Sequence, residues 1–302
     1  IDLTRFVKPG QNHNLIVFVK DDQRSGLQTI GKQCNNFQSG GCSYTRVTGI
    51  WQTVWLEAVA PAGLKIAVIR PDIDQKQLII EPEFYNESNG TLEVTLMDGQ
   101  KTVGKKTVTC ANSATIVLPV KNMKLWTPET PYLYDIIYRV KDVQGNLIDE
   151  VKSYAGMRKV HTANGLFYLN NEPYYQRLVL DQGYYPEGIW TAPTDEALKH
   201  DIQLGKEAGF NGARLHQKVF EERYFYWADK LGYITWGESA SWGSDVNNEL
   251  AVRNFIGEWS EVVVRDRNHP SLVTWTPFNE TWGGGPDTYV RLIQDIYHIT
   301  KA

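Results

Sequence analysis

The sequence predicts a multidomain chain, β-sandwich material followed by an α/β unit, and three observations carry that reading. Before about residue 190, apolar and polar positions alternate and no helical period of useful length appears. Turn signals separate those runs at the spacing of an all-β sandwich. After that point, strands and amphipathic helices alternate with short links, the pattern of a parallel sheet. At 302 residues the chain is also long for one ordinary domain.

Taken in order, Leu15-Ile16-Val17-Phe18-Val19 reads as a short buried strand between Pro9-Gly10 and Asp21-Asp22. A break at Ala60-Pro61-Ala62-Gly63 sets off a second β region over about 63–155, the length of an immunoglobulin-like sandwich. Within it, Leu92, Val94 and Leu96 alternate with polar residues, as do Tyr134, Ile136, Tyr138 and Val140, which fits strands with one buried face. Asn89-Gly90, Asp98-Gly99 and Gln144-Gly145-Asn146 mark its turns.

In the last third, Thr194 is placed to cap a helix with Asp195 and Glu196 in its first turn, where acidic groups favour the dipole. Leu198, Ile202 and Gly205 line one face and Gly209 ends it. A strand within Phe210–His216, a helix from about Glu221 to Leu231 closed by Gly232, and a strand at Tyr233–Trp236 follow. A third helix carrying Phe255, Trp259, Val262 and Val263 stops at Asn268-His269-Pro270. Leu272–Phe278 is the next strand, and a last helix presents Tyr289, Leu292, Ile293 and Ile296. With a first strand at about Tyr175–Asp181 this makes four βα units, half of a (β/α)8 barrel.

Composition narrows the function classes. Hydrophobic residues at 42% and charged residues at 22% exclude a disordered or coiled-coil chain. A net charge of -4 argues against a nucleic-acid partner and against a basic membrane-surface protein. No run approaches the roughly 18 apolar residues of a spanning helix, so no membrane partner is expected. Cys34, Cys42 and Cys110 lack metal-ligand spacing, and the six histidines include no His-Glu-x-x-His. Gly283-Gly284-Gly285 lacks the Lys-Ser/Thr of a P-loop, and no Gly-x-Ser-x-Gly elbow is present.

In barrels of this kind function collects where strands end. Those ends are Asp181-Gln182, Arg214 with His216, Glu238, and Asn279-Glu280. Arg214 and Glu238 equally fit a structural ion pair between neighbouring strands, and His216 a satisfied rim histidine. Glu280 is harder to dismiss, because a carboxylate directly after a buried strand must be held by specific partners. Carboxylates beside aromatics suit glycoside hydrolysis, where one acid protonates the leaving oxygen and another attacks or activates water. The 10 Trp, 16 Tyr and 10 Phe fit sugar stacking or simply large cores.

At this point motifs become recognisable. Arg265-Asp266-Arg267-Asn268-His269-Pro270-Ser271, a buried strand and then Asn279-Glu280 resemble the acid/base signature of glycoside hydrolase family 2, the family of β-galactosidases, β-glucuronidases and β-mannosidases. Thr48-Gly49-Ile50-Trp51-Gln52-Thr53-Val54-Trp55-Leu56-Glu57 looks like the closing segment of that family's jelly-roll domain. Leu125-Trp126-Thr127-Pro128-Glu129-Thr130-Pro131-Tyr132-Leu133-Tyr134 is similar to the signature late in its immunoglobulin-like domain, and Gly165-Leu166-Phe167-Tyr168-Leu169-Asn170 to the opening of its barrel.

The resemblance implies three parts: 1–62, the C-terminal part of a jelly-roll, sugar-binding-like domain; 63–155, an immunoglobulin-like β-sandwich; and 156–302, the first half of a catalytic (β/α)8 barrel. It implies a retaining, exo-acting β-glycosidase, β-galactosidase-like, that hydrolyses terminal β-linked sugars of a glycoside or oligosaccharide. Glu280 matches the general acid/base, whose proton must go to the leaving oxygen and then be recovered from water. Asn279 matches the residue expected at the sugar 2-hydroxyl. Arg214 and His216 are expected to hold the carboxylates and the glycone, Glu238 to belong to the supporting shell, and Asp181 and Trp282 to touch sugar. Trp51, Trp55 and Trp126 fall in β-domain signatures and are expected to be structural, which leaves Trp236, Trp242 and Trp282 for the sugar.

The departures matter as much. No residue matches the family's nucleophile Glu after strand seven, so the chain reads as a piece of a longer protein, inactive alone. Ser239-Ala240-Ser241-Trp242-Gly243-Ser244 replaces the acidic metal-binding stretch of some β-galactosidases, so no cofactor is expected and magnesium lacks support. A half barrel exposes two edge strands, which leaves room for a homo-oligomer. The alternative class is a non-catalytic carbohydrate-binding protein that keeps the β domains and half a rim. The residues specify neither compartment nor glycone.

Overall fold

The computed structural model describes residues 1–281 and 286–302, the side chains of 286–288 excepted. Its first regular unit is a seven-stranded antiparallel sandwich built from β1 (Leu64–Asp72), β2 (Gln77–Phe84), β3 (Thr91–Asp98), β4 (Lys101–Thr109), β5 (Ile116–Pro119), β6 (Tyr134–Lys141) and β7 (Leu147–Ala155). One sheet runs β1-β2-β5 and the other β4-β3-β6-β7. The alternation expected from the sequence holds. Leu92, Val94 and Leu96 of β3 and Ile136, Tyr138 and Val140 of β6 are buried against Leu78, Ile80 and Ile116 of the opposite sheet. Gly99 (φ 60°) and Gly145 (φ 87°) supply the left-handed backbone of two of the hairpins.

A small antiparallel sheet, β8 (Val160–Ala163), β9 (Leu166–Leu169) and β10 (Glu172–Pro173), leads into the α/β part. There, β11 (Leu178–Asp181), α1 (Asp195–Glu207), β12 (Gly212–Leu215), α2 (Glu222–Leu231), β13 (Ile234–Glu238), α3 (Glu249–Asp266), β14 (Leu272–Thr276) and α4 (Pro286–Lys301) alternate. The strands are parallel in the order β11-β12-β13-β14, the first half of a (β/α)8 barrel.

Local chemistry explains the helices. Thr194 Oγ1 accepts from the Ala197 N–H at 3.1 Å, and Asn248 caps α3 through the N–H groups of Leu250 and Ala251. Gly232 ends α2 at φ 71°. The face of α1 carrying Leu198 and Ile202 packs on Ala213, Leu215, Tyr233 and Leu272. Gly205 is fixed by the same contact, since a Cβ there would stand 2.4 Å from the Tyr233 hydroxyl. Because strand residues alternate, Arg214 faces away from the helices.

Residues 1–62 depart from expectation. Leu15–Val19 form no strand and are exposed, Ile16 and Phe18 each at 89%. Trp55, expected to be structural, is 66% exposed. A strand needs a neighbour for its backbone groups and a layer for its apolar face, and the described residues offer these segments neither. What orders this region instead is the barrel. The Ile30 and Gly31 N–H groups donate to Trp242 O and Ala240 O at 2.8 and 3.2 Å, and the Asp245 N–H donates to Gly26 O at 2.8 Å.

The sandwich is tied to the barrel by the signature residues. Trp126 Nε1 donates to Asp229 O at 2.9 Å, Arg158 donates to Pro270 O and Leu272 O, and Asn268 bonds the backbone of Ala67 and Ile69. Asn268, His269 and Pro270 therefore work at this junction, away from the rim.

Candidate active site

At the ends of β12, β13 and β14, four of the expected residues converge. Arg214 Nε donates to Glu238 Oε2 at 2.6 Å, and its Nη2 donates to Asn279 Oδ1 at 2.7 Å. Glu238 Oε1 accepts the Gln217 N–H at 3.0 Å. The Glu238 side chain is inaccessible, and burial raises its carboxyl pKa while Arg214 and the Gln217 N–H oppose that shift. The pair is thus both the structural ion pair weighed from the sequence and the part that aims the Asn279 amide.

His216 Nδ1 lies 3.0 Å from Glu238 Oε1 without forming a hydrogen bond. Burial, with Arg214 and Lys32 nearby, pushes the imidazole pKa down to about 4, so His216 is neutral at ordinary pH.

Asn279 is held on three sides. Its N–H donates to Ser241 Oγ at 3.1 Å, its carbonyl accepts Trp242 Nε1 at 2.9 Å, and its Oδ1 takes Arg214. Its Nδ2 is buried and has no partner among the described residues, which leaves a donor for a bound hydroxyl. Glu280 follows, exposed and at φ 44°, a left-handed backbone that a non-glycine residue adopts only under local constraint.

Two expected sugar contacts do not join this cluster. Asp181 pairs in register with Leu215, whose side chain lies in the helix-facing core, so it projects toward the helices and away from Arg214. There its Oδ1 accepts the Gly183 N–H at 2.8 Å, its Oδ2 lies 3.5 Å from the Tyr224 hydroxyl, and burial raises its pKa. Trp282 lies outside the described residues. Trp236 donates to Gln176 Oε1 at 2.8 Å, while Trp242 stands at the rim.

The structure adds residues that sequence reasoning missed. Gln217 Nε2 donates to Ser241 Oγ and its Oε1 accepts the Trp242 N–H, which knits the loops after β12 and β13 beneath Asn279. Lys218 Nζ donates to Gly183 O and Trp190 O, both at 2.6 Å, among the rings of Trp51 and Phe220. Burial lowers its pKa to about 8. Lys32 reaches the rim from the N-terminal region, its ammonium 3.8 Å from the centroid of the Trp242 ring. No spacing rule links Lys32 to a barrel far downstream, and only the fold brings it here. Among the described residues, no three His, Cys, Asp or Glu side chains group as metal ligands, and no helix is long and apolar enough to cross a membrane.

Comparison with known proteins agrees with this architecture. The model described as glycosyl hydrolases family 2 matches residues 64–158, and that described as glycosyl hydrolases family 2, TIM barrel domain, matches residues 160–302. A protein named putative beta-glucuronidase from Formosa agariphila is 27% identical over 294 residues, 93% of this chain and 34% of its own length. A beta-galactosidase from Clostridium acetobutylicum is 24% identical over 99% of this chain and 33% of its own length. The chain thus spans about a third of the length of these relatives. Among solved structures, the beta-glucuronidase from Ruminococcus gnavus in complex with D-glucuronic acid superposes with a TM-score of 0.71 at 22% identity, over 79% of this chain and 40% of that one. That from Dictyoglomus thermophilum gives 0.69 at 21%, over 79% and 42%. The structural likeness speaks to the fold, and the two successive family matches cover most of the sequence: the chain belongs to glycosyl hydrolase family 2.

Proposed function

We propose that the protein carrying this chain is a retaining, exo-acting β-glycosidase with Glu280 as its general acid/base. The observation that supports it most is the Arg214–Glu238 pair, which fixes Asn279 and so sets Glu280 at the end of β14. In the first step the Glu280 carboxyl gives its proton to the glycosidic oxygen while a nucleophilic carboxylate bonds to the anomeric carbon. In the second step Glu280 takes a proton from water, which displaces that carboxylate. Asn279 Nδ2 donates to the sugar 2-hydroxyl, a contact that strengthens as the oxocarbenium character develops. The neutral His216 serves as a hydrogen-bonding wall for the glycone.

Retention requires the second carboxylate roughly 5–5.5 Å from the first. No residue of the sequence resembles the family's nucleophile motif, so this chain by itself is proposed to be inactive, with residues 1–62 as the tail of a jelly roll. That relatives are named beta-glucuronidase and beta-galactosidase supports reading the glycone as a uronic acid or a neutral hexose.

The test is Glu280→Gln in the complete protein. Hydrolysis of alkyl β-glycosides should fall about 10²- to 10⁴-fold, while dinitrophenyl glycosides, whose leaving group needs no proton, still release their phenol. Equal loss on both would remove Glu280 from the acid role, and binding without any turnover in the wild type would favour a non-catalytic carbohydrate-binding protein.

A further inference from the structure

We propose that the cleft between the sandwich and the barrel binds a tetrahedral oxyanion, with Arg267 as its principal ligand. The group is a phosphate or sulfate, free or carried as a monoester. The site is separate from the rim and does not depend on the β-glycosidase reading.

The cleft has a volume of about 340 Å³ and is walled by β1, by the segment that follows β7 and by the loop after α3. Its charged lining is cationic: Arg70 comes from β1, Arg158 and Lys159 from the segment after β7, and Arg267 from the end of α3. No acidic residue lines it among the described residues. Two of these cations are already neutralised, since Arg70 pairs with Glu81 at 2.7 Å and Lys159 with Asp74 at 2.5 Å. Arg158 gives its donors to the carbonyls of Pro270 and Leu272, which carry no charge. Asp229, the carboxylate that acts on Arg158, is already bonded to His269. Arg158 and Arg267 are thus the guanidinium charges left over, and a dianion matches them.

The state of Arg267 is the second observation. Around it, Arg265 grips Asp266, Asn268 bonds the backbone of Ala67 and Ile69, and His269 meets Asp229. Arg267 Nε, by contrast, is buried and has no partner among the described residues. A buried guanidinium N–H without an acceptor carries a desolvation penalty that a bound acceptor would remove. Burial and the like charge of Arg70 also lower the Arg267 pKa, against the pull of Glu81 and Glu83. Those two carboxylates are held by Arg70 and Lys65. A guanidinium presents its donors as a planar fork, which two oxygens of a phosphate or sulfate can fill. An oxyanion seated here would tie β1 to the barrel.

The experiment is isothermal titration of the complete protein with sodium phosphate, against sodium chloride at matched ionic strength. Phosphate should fill one saturable site per chain and chloride none. Arg267→Gln should weaken phosphate binding about 10- to 100-fold. Arg267→Lys should recover only part of it, because the charge is kept and the fork is lost. On the wild type alone, phosphate should slow the modification of Arg267 by phenylglyoxal, read by peptide mass spectrometry. Sodium sulfate and glycerol phosphate as further titrants separate the sources. Tighter binding of the monoester assigns the site to a phosphorylated small molecule, and tighter binding of a free ion to an inorganic oxyanion; both support the site. Phosphate bound equally by the wild type and Arg267→Gln would place it elsewhere and overturn the assignment. A heat signal that chloride reproduces would do the same, and either result leaves the β-glycosidase reading intact.

Discussion

The half barrel buries a carboxylate beside a histidine at each of its ends, and the two histidines shift in opposite directions. Where the barrel meets the sandwich, Asp229 of α2 is inaccessible. Its Oδ2 lies 2.5 Å from His269 Nδ1 and accepts the Tyr154 hydroxyl at 2.8 Å, while its Oδ1 accepts the Ser271 N–H at 2.9 Å. Burial there disfavours the imidazolium, but the Asp229 charge and hydrogen bond outweigh it, so the His269 pKa is raised. At the rim, Arg214 takes Glu238 with its fork, and the adjacent His216 falls to about 4. The guanidinium decides the difference. At the junction, the available arginine, Arg158, spends its donors on the carbonyls of Pro270 and Leu272, so the histidine supplies the cation. The same pairing of residue types thus makes an ionic clamp at one end and leaves a neutral imidazole at the other.

The largest expected effect breaks the clamp. Asp229→Ala strands a buried imidazole and removes three hydrogen bonds, so unfolding free energy from urea denaturation should fall by about 3–5 kcal/mol. A loss below about 1 kcal/mol would mean that the junction pair is not ionic.

At the rim the cost should appear in activity. Glu238→Gln releases Arg214 and with it Asn279, and a displacement on the order of 1 Å at the loop carrying Glu280, the proposed acid/base, should lower kcat of the complete protein about 100-fold. Arg214 is partly open to water, so its stranded charge is tolerated better than that of His269. A stability loss equal to that of Asp229→Ala would erase the distinction.

The two histidines should also separate on a pH axis. The His269 pKa is raised on folding, so its stabilisation is full below about pH 6.5 and is lost as pH rises through the folded value. The His216 pKa is lowered on folding to about 4, so its term is intact above about pH 6.5 and is lost as pH falls toward 4, by up to about 3 kcal/mol. Urea melts across pH should therefore flatten on the acid side in His216→Asn and on the neutral-to-alkaline side in His269→Asn. Both variants flattening the same window would refute the assignment of opposite shifts.

The sequence made the rim more legible than the junction, for physical reasons. Arg214, Glu238 and Asn279 sit at ends of strands whose positions follow from local period and caps, so their convergence was readable. Asp181 shows what a strand end alone leaves undetermined: one residue of β11 separates the rim side from the helix side, and the register with Leu215 puts Asp181 on the latter. His269 and Asn268 belong to a motif, but a motif fixes position and not task, and their partners Asp229 and Ala67 lie in other elements. Leu15–Val19 shows the limit most clearly, since an apolar run looks the same whether or not a neighbouring strand exists to pair with it. Lys32 depends on a contact between distant parts of the chain and left no local trace.

The smallest effect sharpens the comparison. Tyr154→Phe deletes one neutral donor to Asp229 and keeps the ring, which packs near Tyr226 and His269. Asp229 then retains His269 and the Ser271 N–H, so the cost should be about 1 kcal/mol. If the clamp is ionic, this loss should grow in a His269→Asn background, where the hydroxyl is one of only two remaining strong donors to the carboxylate. A double-mutant cycle on unfolding free energies reads that coupling. Strict additivity would mean that Tyr154 and His269 act on Asp229 independently, and the junction would then be a set of separate hydrogen bonds instead of one charged unit.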